Sequence, residues 1–117
     1  MSDNDFSERR RYRRVNVSIP VRYREIGSDE IIESSRIFTA SECSNLSRGG
    51  MQLVTDDCCE KTEDRLFEAE FVLSGKKVKL IARVAWLGFD SLIKKCRMGL
   101  EFIAVKSGDL EVIGQIA

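Results

Sequence analysis

Arginine is concentrated just before the first strand-like segment of the chain, where it fills five of the six positions from Arg9 to Arg14. The guanidinium group is a planar fork of N–H donors that binds phosphates and base edges through paired hydrogen bonds, whereas lysine would serve for solubility alone. Guanidiniums this close together repel one another, so the cluster predicts an anionic partner. A solvated arm without a ligand is the structural alternative.

A second polar motif, N-L-S-R-G-G, runs from Asn45 to Gly50. Asparagine, serine and glycine are typical of turns, and the same residue types supply hydrogen-bond acceptors and allow a ligand to approach the backbone closely. Taken alone, the motif is better explained by a loop that satisfies its own backbone.

Composition argues against an enzyme and against a metal site. The chain has four cysteines, no C-x-x-C pair and no histidine, so zinc binding and nucleophile–histidine catalysis both lack their residues. The first eight residues are polar, and no apolar run approaches the ~18 residues of a membrane helix. We therefore expect a cytoplasmic protein with reduced thiols and with no metal, cofactor or membrane partner.

The net charge of zero conceals three blocks of charge. They sum to +4 over residues 1–24, −8 over residues 25–70 and +4 over residues 71–117. Such blocks are usual on solvated surfaces. Because no second basic stripe accompanies the arginine cluster, a polynucleotide partner is not expected.

Short alternating segments predict the elements that hold these motifs. From Val15 to Tyr23 apolar residues recur at every second position, which predicts a half-buried strand with an edge or a bulge at Pro20. Further strands are expected over about 30–40, from Met51, and over 66–73, 77–87 and 98–105. One face of the fifth strand is expected to comprise Val78, Leu80, Ala82, Val84 and Trp86. Six such strands predict an all-β fold, a closed six-stranded antiparallel β-barrel.

A short C-terminal α-helix is expected to follow the last strand. Ser107 would cap it, and Asp109 and Glu111 in its first turns suit the helix dipole. Its buried side would carry Leu110, Ile113 and Ala117.

The two polar motifs, taken together and in this order, resemble the signature of the PilZ domain family. That signature is an R-x-x-x-R arm, here Arg10 and Arg14, followed by a [D/N]-x-S-x-x-G motif, here Asn45, Ser47 and Gly50. Other landmarks also match: V-x-I-P-V-R-Y after the arm, R-V-A-W at residues 83–86 and M-G-L-E-F at residues 98–102. The resemblance runs from about Glu8 to the end of the chain.

The resemblance implies a bacterial receptor for the second messenger cyclic di-GMP, built as a small β-barrel. Arg10 and Arg14 would bind guanine and phosphate, and Asn45, Ser47 and Gly50 would form the barrel side of the site. An arginine at the position of Arg9 accompanies binding of a stacked pair of ligand molecules in this family. Trp86 would either stack on a guanine or lie in the core.

The domain organisation that follows is a disordered tail over residues 1–8, a flexible arginine arm over 9–14 and a PilZ domain over 15–117. Ligand would order the arm, and the changed surface would relay the signal to an unidentified downstream protein. Motility, pilus function, biofilm or exopolysaccharide control and virulence are the outputs typical of the family, and the sequence does not select among them. Two alternatives stay open, a PilZ-like scaffold that binds no nucleotide and a general nucleic-acid binder that uses the arm electrostatically.

Overall fold

The computed structural model describes residues 13–26, 38–56 and 65–117. Within these ranges the chain forms six strands followed by one helix. They are β1 (Val15–Ile26), β2 (Thr39–Leu46), β3 (Gly50–Thr55), β4 (Leu66–Leu73), β5 (Lys76–Asp90), β6 (Lys95–Val105) and α1 (Ser107–Ile116). The strands close into a barrel in the order β1-β2-β3-β6-β5-β4, with every neighbouring pair antiparallel. The predicted fold class is therefore confirmed.

Along each strand every second side chain points into the barrel, and these side chains fill its interior. Val21, Leu53, Leu80 and Met98 are each at most 2% exposed, as strand periodicity requires of a sheet with one buried face. Tyr23 is buried as well, and its hydroxyl forms a 3.1 Å hydrogen bond with Thr55 Oγ1. The packed core therefore keeps the barrel rigid, and the outer face of the barrel can carry a binding site.

The second strand is placed differently from the prediction. Residues 30–37 of the expected 30–40 segment lie outside the described ranges, and β2 runs from Thr39 to Leu46. Asn45 was expected in a turn, yet it is a strand residue paired with Asn16 of β1 and Gln52 of β3. Because β1 and β3 pair with β2 on both sides, Asn45 stays in the strand although asparagine by itself favours turns.

Pro20 is paired with Glu42 of β2 and directly precedes the first residue paired with β4, so it lies at a local edge, where proline is tolerated. The bulge expected at Pro20 lies earlier in the strand. The register between β1 and β2 shifts between Asn16 and Ile19. Pairing of β1 with β4 begins only at Val21.

Trp86 does not share the buried face of β5. Val78, Leu80, Ala82 and Val84 are buried as predicted, but Trp86 is 41% exposed. The register shifts between Val84 and Trp86, where two steps along β5 match one step from Leu100 to Gly99 on β6. A bulge of this kind turns the next side chain to the opposite face, so the strict alternation assumed from sequence fails at this point.

The helix also corrects two expectations. Lys106 occupies the N-cap position without a side-chain cap, and Ser107 is the first helical residue. Ile113 is fully buried as expected, but Leu110 is 39% exposed and Asp109 is buried instead, with an oxygen 3.8 Å from Lys76 Nζ. No helix in the described ranges is long and apolar enough to cross a membrane.

Two of the four cysteines fall within the described ranges and both are buried. Cys43 is a free thiol, whereas Cys96 is disulfide-bonded. The expectation of reduced thiols is therefore wrong for Cys96.

Candidate functional site

The segment between β2 and β3 is a tight loop organised by Ser47. Its hydroxyl accepts the backbone N–H groups of Gly49 and Gly50, each at 3.1 Å. Its own N–H donates to the Gly50 carbonyl at 2.9 Å, and Gly49 O accepts the N–H of Phe102 on β6 at 2.9 Å. Ser47 is only 7% exposed, so its hydroxyl shapes the loop and the loop is fixed to the barrel.

Gly50 is glycine because of the neighbouring strand. A Cβ at this position would lie 2.3 Å from the backbone oxygen of Leu100, a distance at which one of the two strands would have to move. The sequence argument expected the missing Cβ to make room for a base. The structure gives the glycine a packing role between β3 and β6.

A continuous row of residues crosses the outer face of the barrel from this loop. Asn16 pairs with Asn45, Asn45 with Gln52, Gln52 with Gly99, and Gly99 with Trp86. Adjacent strands are about 4.8 Å apart, so the span from Asn45 to Trp86 is about 14 Å. The row therefore forms a polar platform that ends in an aromatic ring.

Asn45 is held in place within this row. Its Nδ2 donates to Gln52 Oε1 at 2.8 Å, and the Ser44 hydroxyl donates to the same oxygen at 3.2 Å. Beneath it, the Cys43 thiol donates to the Asn45 carbonyl at 3.1 Å, and burial raises the pKa of that thiol to about 12. The thiol is therefore neutral at physiological pH and bonds the Asn45 backbone, whereas the Asn45 side chain is oriented by its bond to Gln52.

Trp86 lies across Gly99 on the outer surface. A Cβ on Gly99 would stand 2.1 Å from Trp86 Nε1 and 2.5 Å from its Cε2. The indole therefore rests against the glycine backbone with its other side toward solvent. This placement favours the surface role of Trp86 over the core role.

The beginning of β1 brings the arginine arm to the same place. Val15 pairs with Leu46, and Ser47 follows Leu46, so Arg14 enters the barrel beside the loop. Arg13 and Arg14 are both exposed, whereas Arg9 and Arg10 lie outside the described residues. The structure thus brings Arg14 together with Asn45, Ser47 and Gly50.

Three members of the row were not singled out from sequence: Asn16, Gln52 and Gly99. Asn16 and Gln52 are polar residues at outward positions of alternating strands. Such a pattern identifies the solvent-exposed face of a sheet but does not indicate which part of that face binds a ligand. Gly99 acquires its role only because a bulge in β5 turns Trp86 outward, and no local pattern reports which residue lies across a sheet.

Comparison with known proteins assigns the fold to a family. A family model for the PilZ domain matches residues 8–117. The chain belongs to the PilZ domain family. A comparison with curated proteins found no relative.

Solved structures resemble this chain at low sequence identity. Bacillus subtilis MotI/DgrA, described as an inhibitor of motility, is 20% identical with a TM-score of 0.73, over 91% of this chain and 48% of that protein. The PilZ domain of Escherichia coli YcgR with c-di-GMP is 15% identical with a TM-score of 0.69, over 92% of this chain and 88% of that chain.

A third structure extends the comparison to another organism. The K. pneumonia MrkH–c-di-GMP complex is 19% identical with a TM-score of 0.69, over 92% of this chain and 50% of that chain. The present chain therefore spans about half the length of MotI and of MrkH. At these identities the likeness establishes the PilZ fold.

Proposed function

We propose that this chain is a receptor for cyclic di-GMP, without catalytic activity, that binds the ligand between its arginine arm and the outer face of β2, β3, β6 and β5. One observation carries the proposal most directly. The arm, through Arg14, joins the barrel beside the Ser47 loop, and the row from Asn45 to Trp86 begins at that loop. Structures described as c-di-GMP complexes of YcgR and MrkH share the fold.

The row offers groups that match guanine. Guanine presents N7 and O6 as acceptors, which the forks of Arg10 and Arg14 would meet with paired donors. Its N1–H and N2–H donors need acceptors. Because Asn45 Nδ2 is already bonded to Gln52, the Asn45 oxygen is the amide atom left to accept them.

Trp86 would supply stacking at the far end of the row. Its indole is 41% exposed, and an aromatic ring on a sheet surface stacks on any purine face. Ser47 and Gly50 would act through the loop they shape, since one fixes its backbone and the other lets β3 approach β6.

We further propose that binding orders the arm, including Arg9 and Arg10, against the barrel rim and that a downstream protein recognises the new surface. The ligand would be one molecule or a stacked pair, the latter favoured by Arg9. A cytoplasmic location suits a receptor for an intracellular messenger. The description of MotI as an inhibitor of motility makes motility one candidate output.

Titration calorimetry with cyclic di-GMP tests the proposal and gives affinity and stoichiometry together. Arg14→Ala should weaken binding by ~1–3 kcal/mol, because a charged bidentate contact is lost. Arg13→Ala is the matched control, since it removes the same charge one position away and should have a much smaller effect. No binding by the wild-type chain, or equal losses in the two variants, would refute the proposed site.

A further inference from the structure

The loop that organises the site carries one residue that points away from it and onto the helix. Arg48 stands between Ser47 and Gly49, whose backbones are fixed by the hydrogen bonds described above. Its side chain is exposed and reaches α1, where Nη2 lies 3.5 Å from the carbonyl oxygen of Gly114. A hydrogen bond of this length is weak.

The guanidinium also lies against the Gly114 backbone. A Cβ on Gly114 would stand 3.0 Å from Arg48 Nε, 3.2 Å from Nη2 and 3.3 Å from Cζ. Arg48 therefore occupies the space that any other residue at position 114 would fill. The contact depends on a glycine at this one position of the helix.

The position in the helix makes a cation favourable there. The last four carbonyls of an α-helix have no partner within the helix, and its C-terminus carries partial negative charge. Gly114 lies among them, and α1 has no basic residue of its own in its last turn. Arg48 supplies that charge from a different element.

The rest of α1 is attached at other points. Ile113 is buried in the barrel and Asp109 lies near Lys76. Between the loop and the helix a groove of about 700 Å³ is lined by Arg48, Ser107, Leu110, Glu111, Gly114 and Gln115. The groove gives the Arg48 side chain room to move without disturbing the core.

We propose that Arg48 is a ligand-binding residue that couples ligand occupancy of the loop to the packing of the last turn of α1. The inference rests on the proposed function. A ligand phosphate bound at the loop offers Arg48 a charge-assisted hydrogen bond, which is stronger than its long bond to a neutral carbonyl. Ligand thus draws the guanidinium from Gly114 and loosens the last turn, and by linkage the helix contact opposes binding.

Hydrogen exchange of the α1 amides tests the contact without nucleotide. Arg48→Ala should speed exchange in the last turn by about two- to fivefold, because a cation at a helix C-terminus stabilises the helix by a corresponding amount. The amide to follow is that of Ala117, whose N–H bonds to Ile113 O. Exchange in the barrel strands should stay as in wild type. An unchanged last turn in Arg48→Ala overturns the inference whether or not the chain binds cyclic di-GMP.

Exchange with saturating cyclic di-GMP tests the coupling. In wild type the ligand should speed exchange of the last turn, and in Arg48→Ala it should cause no further change. Slower exchange in wild type with ligand, or the same response in both proteins, overturns the inference. If calorimetry shows no binding by wild type, the proposed function fails separately, and so does the ligand-dependent half of the inference.

Alanine substitutions at two glycines of α1 form a matched pair for measuring the affinity for cyclic di-GMP. Gly114→Ala displaces Arg48 from the helix in advance and should tighten binding by about twofold, whereas Arg48→Ala should weaken it by about tenfold. Gly108→Ala makes the same substitution at a position where the added Cβ meets only Lys76 Nζ, at 3.4 Å. The affinity of this variant for the ligand should therefore match that of wild type. Weaker binding by Gly114→Ala would contradict the competition.

Discussion

At the scale of single residues, the glycines of the site are explained by what lies across the sheet from them. Gly50 faces the backbone of Leu100 and Gly99 faces the ring of Trp86. The two glycines therefore differ in their neighbours: Gly50 faces a rigid backbone, whereas Gly99 faces a side chain that can move. Substitution at the two positions should have different consequences.

Gly50→Ala should destabilise the barrel by ~1–3 kcal/mol, because its Cβ meets a backbone oxygen that cannot rotate away. Urea unfolding followed by circular dichroism measures the change. Gly88→Ala on β5 is the matched control, since a Cβ there has nothing within 4 Å. Equal stability of the two variants would mean that β3 and β6 can separate without cost.

Gly99→Ala should act on the ring and leave the fold largely intact. Its Cβ would overlap the indole of Trp86, and a side chain that is already 41% exposed can swing into solvent. Trp86 is the only tryptophan, so its fluorescence reports the movement directly. We expect a red-shifted emission maximum and weaker cyclic di-GMP binding, whereas an unshifted spectrum would show that the ring does not rest on Gly99.

At the scale of elements, sequence patterns found most of the strands but misplaced β2 and missed the positions of the bulges. Alternation correctly predicted the inward residues of β5 up to Val84, and then failed because the bulge before Trp86 reverses the faces. Asn45 was expected in a turn for a similar reason, since local preference does not include pairing with strands distant in sequence. The motifs identified Asn45, Ser47 and Gly50, but Gln52 and Gly99 joined the site only through strand register.

A second element-scale feature is a charged cluster on the outer face of β1, β4 and β5. Glu70 is 5% exposed and accepts hydrogen bonds from Arg22 Nε at 3.0 Å and Nη2 at 2.8 Å. Lys79 Nζ lies 3.2 Å away. Desolvation alone would raise the pKa of Glu70, but the bonds from Arg22 and Lys79 outweigh it and hold the pKa below its ordinary 4.5.

A lowered pKa in the folded state makes the Glu70 contribution to stability pH-dependent. The contribution is present at neutral pH and is lost as pH falls below 4.5 through the folded-state pKa. Glu70→Gln should therefore cost about 1 kcal/mol at pH 7 and much less near pH 3, as measured by urea unfolding. Glu101→Gln, which alters an exposed pair with Arg83, should cost little at either pH, and a pH-independent loss in Glu70→Gln would contradict the charged role.

At the scale of the whole molecule, the barrel and the function are identified by different features. Structures that share the fold are only 15–20% identical to this chain, so the barrel arises from a pattern that many sequences satisfy. The arm and the N-x-S-x-x-G motif are far more specific, because under the proposed function Arg10, Arg14 and Asn45 would meet particular ligand atoms. The proposed function therefore rests on a few positions, while the geometry that joins them required the fold.

The charge distribution of the molecule leads to a prediction that separates a dinucleotide from a polynucleotide ligand. The net charge is zero, and a ligand with two phosphates can release few counterions. The slope of log affinity against log salt concentration should therefore lie at about −1 to −2 for cyclic di-GMP, whereas an electrostatic complex with six or more phosphates of single-stranded DNA would give about −4 or steeper. Calorimetry between low and moderate salt, with single-stranded DNA as the comparison ligand, measures both slopes. Tight, steeply salt-dependent binding of the DNA would indicate that the arginine arm recognises nucleic acid backbones in general, because only an arm that acts together with the Asn45–Trp86 row can prefer one small guanine-bearing ring.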